Sequence, residues 1–174
     1  MGYLLLTCVM FALAIGVNSG SVFVQKRFEF YNRRHINGWL LHSLVILPCW
    51  AIFVYLLVNL NSHYLLRFPA VPVVGYIFFA LATLLFGLAI REIGWQSLAN
   101  GNWFGRGKMA HVGIFKFLKN PIYDSYLLAF IGVALTRGNA AYLVIALESY
   151  IGLNVIETRL EQVQESQDVA TGEE

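Results

Sequence analysis

The chain is predicted to be all-α: a polytopic integral membrane helical bundle of about five transmembrane segments, the last two a short hairpin. Three observations carry that expectation. Of the 174 residues, 58% are hydrophobic and only 13% charged, against about 25% charge in a soluble domain, and the mean hydropathy is +0.63. Apolar stretches fall at residues 3–24, 38–60, 72–90, 121–135 and 139–156, where a spanning helix needs about 20 residues. The basic residues then sort to one side of those stretches, as they do around genuine spans.

Each stretch has its own justification. Residues 3–24 compete with a secretory signal, since Val17-Asn18-Ser19-Gly20 resembles a small-residue cleavage region. No basic segment precedes the apolar run, so a retained first helix is expected. Met1-Gly2 opens like an acylation signal, yet Leu6 stands where Ser or Thr is required. Residues 38–60 and 72–90 are apolar runs of spanning length. Pro121 opens the fourth stretch: a proline in the first helical turn forfeits no hydrogen bond, so it marks where irregular loop becomes membrane helix. The fourth and fifth stretches are short and separated only by Thr136-Arg137-Gly138, which predicts a tight hairpin that crosses at shallow depth or with thinning around it. Residues 1–161 thus form one domain, followed by an acidic, polar tail at 162–174 that lacks apolar periodicity and is expected to be disordered.

With five crossings, one side of the membrane receives Lys26, Arg27, Arg33, Arg34, Arg91, Arg106, Lys108, Lys116, Lys119 and Arg159, and the other only Arg67 and Arg137. Ten against two places the N-terminus in the lumen or periplasm and the C-terminus in the cytosol. The membrane is then the endoplasmic reticulum or the bacterial inner membrane.

Several function classes drop out. The formal charge of +2 comes without a basic, aromatic stripe outside the membrane, so the cytosolic cations suit lipid headgroups and nucleic acid is not a partner. Cys8 and Cys49 show no CxxC or Cys/His spacing and are read as core residues. No HxxxH, HExxH or paired-carboxylate spacing supports metal or glycosidase chemistry. The glycine-rich run 101–108 lacks a preceding strand and a Lys-Ser or Lys-Thr pair, so it is not a P-loop.

What remains is concentrated around residues 91–124. The long loop at 91–119 mixes Gly94, Gly101, Gly105 and Gly107 with Trp95, Trp103 and Phe104; glycines admit close backbone approach, and tryptophans suit the headgroup level. Gly113-Ile114-Phe115-Lys116-Phe117-Leu118-Lys119-Asn120-Pro121-Ile122-Tyr123 runs directly into the fourth helix. Asp124 falls in that helix's first turn, where the macrodipole alone stabilises an anion. Glu148 sits near the middle of the fifth stretch, where a carboxyl must face protein or water because hydrocarbon costs it about 2.5 to 3.5 kcal/mol. Asp124 could equally serve a ligand, Glu148 could hold the amine of a cofactor or substrate or pair with polar groups on neighbouring helices, and His111 lies in the cytosolic loop.

The run at 113–123, a helical hairpin, and then Glu157-Thr158-Arg159-Leu160 together resemble a family. It is the membrane methyltransferases that include isoprenylcysteine carboxyl methyltransferase and the phospholipid N-methyltransferases, whose pattern reads roughly G-x-Y-x-x-x-R-H-P-x-Y, a hairpin, then E-E-x-x-L. Gly113, Pro121 and Tyr123 match; Phe115, Lys119 and Asn120 stand for the tyrosine, arginine and histidine, and Ile156 for the first glutamate. Arg91-Glu92-Ile93-Gly94-Trp95-Gln96-Ser97 resembles the segment ahead of the cofactor loop, extending the likeness to about residues 75–161. The Asn-Pro-x-Tyr form is closer to the phospholipid branch. The resemblance implies S-adenosylmethionine as cofactor, held by Gly113, Phe115, Lys119, Asn120, Pro121, Tyr123, Glu157 and Arg159, with Glu148 able to share or take over the glutamate's part. It also implies a membrane lipid or lipidated substrate as acceptor, a phospholipid amine ahead of a prenylcysteine carboxylate. Asp124, Glu148 and His111 are the candidate catalytic residues. A non-enzymatic scaffold subunit is the rival of a different class; a sterol reductase, which shares a similar C-terminal motif, would need more helices.

Overall fold

Helix boundaries follow the backbone chemistry of the residues that open and close each apolar run. In this computed structural model, which describes residues 2–28, 30–33, 37–60, 71–95 and 113–157, α1 is Gly2–Phe28, α2 Phe30–Arg33, α3 Gly38–Val58, α4 Val71–Ile93, α5 Pro121–Arg137 and α6 Ala141–Ser149. A 3-10 turn at Gly113–Lys116 precedes α5, and α6 passes without a break into a π-helical segment, Tyr150–Glu157. No strand occurs among the described residues. Asn37 caps α3 by accepting the Leu40 N–H at 3.2 Å, and Pro48 lies inside it, a substitution that membrane helices accommodate. Pro121 occupies the first turn of α5 behind Asn120, as its position in the sequence predicts. Gly138 ends α5 in the left-handed region at φ +60°, which releases the chain into α6.

Three of these helices, at Gly2–Gln25, Gly38–Val58 and Pro72–Ile93, are long and apolar enough to cross a membrane. At 17 residues α5 is about 25 Å long, under the ~30 Å of a hydrocarbon core. Side chains such as Leu5, Leu44, Leu47, Tyr55, Val73 and Leu84 stand exposed along α1, α3 and α4, the surface expected of helices solvated by lipid.

An aromatic layer ties three helices together. Phe11 of α1 stacks on Phe53 of α3 at 4.6 Å and meets Phe130 of α5 edge-on at 5.9 Å, and Trp50 leans on Phe11 and Phe53. Between α4 and α5 the approach is closer. A Cβ on Gly75 would fall 2.6 Å from the Thr136 nitrogen, and one on Gly132 would fall 2.9 Å from the Phe79 nitrogen, so small residues at both positions let the two backbones touch.

The pairings also fix direction. Ser21 with His42 and Phe11 with Phe53 make α1 and α3 antiparallel. Trp50 with Tyr126 and Val58 with Arg137 make α3 and α5 parallel, and Gly75 against Thr136 sets α4 antiparallel to α5. The C-terminal end of α4, the 3-10 turn and the N-terminal end of α5 therefore share one end of the bundle with the π segment. The α5–α6 turn and the C-terminal end of α3 share the other.

Candidate active site

The first of these ends is built from helix termini. Helix α4 stops at Gly94, φ +76°, whose N–H bonds to the Ile90 carbonyl at 2.8 Å. Two residues earlier Glu92 reaches across to the start of the 3-10 turn. A Cβ on Gly113, which has φ +60°, would sit 2.7 Å from Cδ and Oε1 of Glu92. Both the backbone conformation and the neighbouring carboxylate therefore call for glycine at this position. The Phe117 and Leu118 N–H groups then converge on the Ile114 carbonyl at 3.0 Å each, turning the chain toward Asn120. That residue takes the N-cap position of α5 without returning a side-chain bond to the helix. Trp95 and Phe117, 73% and 83% exposed, flank this junction as aromatic anchors suited to the headgroup level.

One turn into α5, Asp124 meets the π segment. Its Oδ1 accepts from Asn154 Nδ2 at 2.6 Å. Asn154 Oδ1 is buried and finds no hydrogen-bond partner among the described residues. Ser125, the neighbour of Asp124, is buried and donates to the Ile122 carbonyl at 2.6 Å, so this first turn is held from both sides.

Of the residues expected from the sequence, Gly113, Phe115, Lys119, Asn120, Pro121, Tyr123 and Asp124 lie along this junction. Lys119 is exposed, Phe115 half-buried and Pro121 fully buried, while Tyr123 packs against the aromatic core. His111, Arg159 and the tail at 162–174 lie outside the described residues; Glu157 is the last residue of the π segment, and its side chain also lies outside them. Glu148 is elsewhere. Its carboxyl meets the Cys8 thiol of α1, six residues and roughly 8 Å along the helix from Asn154, toward the α5–α6 end. The structure thus joins Asp124 to Asn154 and Gly113 to Glu92 but sets Glu148 apart from both.

Sequence reasoning missed Glu92, Asn154 and Cys8 as partners. Glu92 had a signal, since it stands inside the 91–97 segment ahead of the loop. Asn154 had none, being one amide in an apolar run.

Three helices long and apolar enough to cross a membrane, with lipid-suited side chains along their exposed faces, mark an integral membrane protein. The model of the phospholipid methyltransferase family matches residues 71–164. That is more than half of the chain, which therefore belongs to this family of membrane methyltransferases, as the run at 113–123 implied. No curated protein and no solved structure matches it.

Proposed function

We propose that the chain is an S-adenosylmethionine-dependent methyltransferase whose acceptor is a phospholipid amine in the bilayer, such as phosphatidylethanolamine or its methylated forms. The observation that carries this reading is a carboxylate, Asp124, fixed by Asn154 at the same bundle end as the family's glycine-to-tyrosine junction. In the accompanying topology the chain crosses the membrane five times, α5 and α6 forming a short hairpin, with the junction and the C-terminus cytosolic. Residues 1–161 are the catalytic domain and 162–174 an appended tail. The membrane is the endoplasmic reticulum or a bacterial inner membrane.

The junction suits the cofactor. Glu92 packs directly against Gly113, where a Cβ would clash with it, and exposed backbone next to a carboxylate suits ribose hydroxyls or an amino group. Gly113, Phe115, Lys119, Asn120, Pro121 and Tyr123 would hold it, joined by Glu157 and Arg159. When bound, S-adenosylmethionine supplies a methyl group already activated on a positive sulfur.

The protein's own tasks are then positioning and proton management. An ammonium head group must lose a proton before its nitrogen lone pair can form the new bond to carbon, and Asp124 accepts that proton at the cytosolic end. The electrons of the broken bond stay on sulfur. Trp95 and Phe117 hold the junction at headgroup depth, where acceptor and water-soluble donor meet. His111 and Glu148 are the alternative proton acceptors.

Calorimetry of S-adenosylmethionine with the detergent-solubilised full chain tests the reading. Binding is expected, with Tyr123→Ala and Glu157→Ala each weakening it about tenfold, equivalent to about 1.4 kcal/mol. Undiminished affinity in both variants sinks the site assignment, and no binding by the folded wild type leaves the scaffold reading ahead. Labelled methyl groups supplied with lipid extracts separate an amine acceptor from a prenylcysteine carboxylate.

A further inference from the structure

Two cations at the junction have nothing to neutralise them. Arg91 stands in the last turn of α4, and Lys116 closes the 3-10 turn. Both are exposed, and neither side chain makes an ion pair or a hydrogen bond among the described residues. Glu92, beside Arg91 in the chain, packs its carboxylate on Gly113 instead. That contact joins the two elements, since Arg91 is next in sequence to Glu92 and Lys116 lies three residues, about 6 Å along a 3-10 turn, beyond Gly113. Asp124 is likewise engaged, by Asn154. Each cation is accompanied by an exposed aromatic: Trp95 follows Arg91 by four residues and Phe117 is next to Lys116, at 73% and 83% exposure. At the opposite end of the bundle Arg137 is drawn into the protein's own bonds, donating to the Val58 carbonyl and the Tyr142 hydroxyl.

We propose that Arg91 and Lys116, with Trp95 and Phe117, form a docking surface for an anionic phospholipid of the leaflet at this bundle end. Charge complementarity identifies the occupant. Two like charges on adjoining elements repel each other, and a phosphate seated between them replaces that repulsion with two charge-assisted hydrogen bonds. The exposed aromatics set the depth, because amphipathic and aromatic rings collect at the headgroup level, where the phosphates of the bilayer lie. A zwitterionic head group carries an ammonium along with its phosphate, so it gains less from two cations than a lipid of net negative charge does. The bound lipid is a retained partner rather than a methyl acceptor, and the proposal therefore stands apart from the methyltransferase reading. It also bridges α4 and the 3-10 turn, the two elements that meet at Glu92 and Gly113.

Lipid competition on the full chain in a non-ionic detergent tests this. Equimolar dioleoylphosphatidylglycerol and dioleoylphosphatidylcholine are added, and the lipid retained is counted by native mass spectrometry. Wild type is expected to retain the anionic lipid in about tenfold excess. Pre-incubation at about 1 M rather than about 0.1 M salt, which shortens the screening length from about 10 Å to about 3 Å, should shrink that excess. Arg91→Gln combined with Lys116→Gln is expected to retain both lipids alike, whereas Arg91→Lys combined with Lys116→Arg keeps the preference. Phe117→Ala lowers retention of both lipids without changing their ratio. Equal retention of the two lipids by wild type overturns the proposal. So does a preference that survives in the double glutamine variant with wild-type thermal unfolding, which would move lipid selection to other cations of the chain. The methyltransferase reading fails separately, by absence of labelled methyl transfer in wild type whatever lipid it retains.

Discussion

At the end of the bundle where α5 turns into α6, side chains from the turn close the open terminus of α3. Tyr142 donates to the Leu57 carbonyl at 2.8 Å, Arg137 to the Val58 carbonyl at 3.2 Å and Asn139 to the Leu60 carbonyl at 3.1 Å. Arg137 also donates to the Tyr142 hydroxyl at 3.1 Å, while Asn139 Oδ1 accepts the Ala141 N–H at 3.0 Å. Carbonyls that a helix terminus leaves over are consumed there by side-chain donors from the α5–α6 turn. At the opposite end a similar inventory is arranged to different effect. Asn120 does not cap α5 with its side chain, Asn154 keeps an unmet oxygen, and Glu92 lies against a glycine. One terminus uses its polar groups for cohesion, and the other leaves the Asn154 oxygen without a partner among the described residues; under the proposed function that second end is where catalytic chemistry is expected to reside.

The largest effect that would break this comparison belongs to the closed end. Asn139→Leu removes the bonds to Leu60 and Ala141 from a residue only 6% exposed and strands the Leu60 carbonyl, so a loss of about 2 to 3 kcal/mol is expected. It would be measured by unfolding in detergent; a change under about 0.5 kcal/mol would mean that this end is not a clamp. Next comes the open end, where Gly113→Ala puts a side chain at φ +60° and against Glu92. Calorimetry should show S-adenosylmethionine affinity falling about tenfold while the midpoint of unfolding moves little; the reverse pattern would make Gly113 purely structural. The smallest effect is reserved for Glu148→Gln. Because Glu148 meets Cys8 rather than Asp124, methyl transfer is expected to stay within about threefold of wild type, roughly 0.7 kcal/mol. A loss of a hundredfold or more would move the proton acceptor from Asp124 to Glu148.

Much of the architecture was legible because it is written in local chemistry. Apolar run length located α1, α3 and α4, and Pro121 marked the start of α5, whose end at Arg137 lies two residues beyond the expected Leu135. The junction at 113–123 was legible for the same reason, its residues being consecutive. The partners were not. Asp124 and Asn154 are 30 positions apart, as are Arg137 and Val58 by 79, and hydropathy carries no information on which faces meet. Arg137 illustrates the limit well. Charge counting marks it as a rare cation on the sparse side, whereas the structure reveals a capping donor over the end of α3. The close approach of α4 and α5 was hidden likewise, since Gly75 and Gly132 gain meaning only when set against each other.

The π-helical segment, Tyr150–Glu157, acts on the open end as a rotary setting. Such segments are rare and usually a single turn, and they arise where one more residue is wound into a helix than α geometry holds. Each residue in it turns the chain by less than the ~100° of α geometry, so the bearing of Asn154 depends on where the wider winding begins. Substitutions at 150–153 that return this stretch to α geometry without shortening it would turn Asn154 away from Asp124, with hydropathy and span count virtually unchanged.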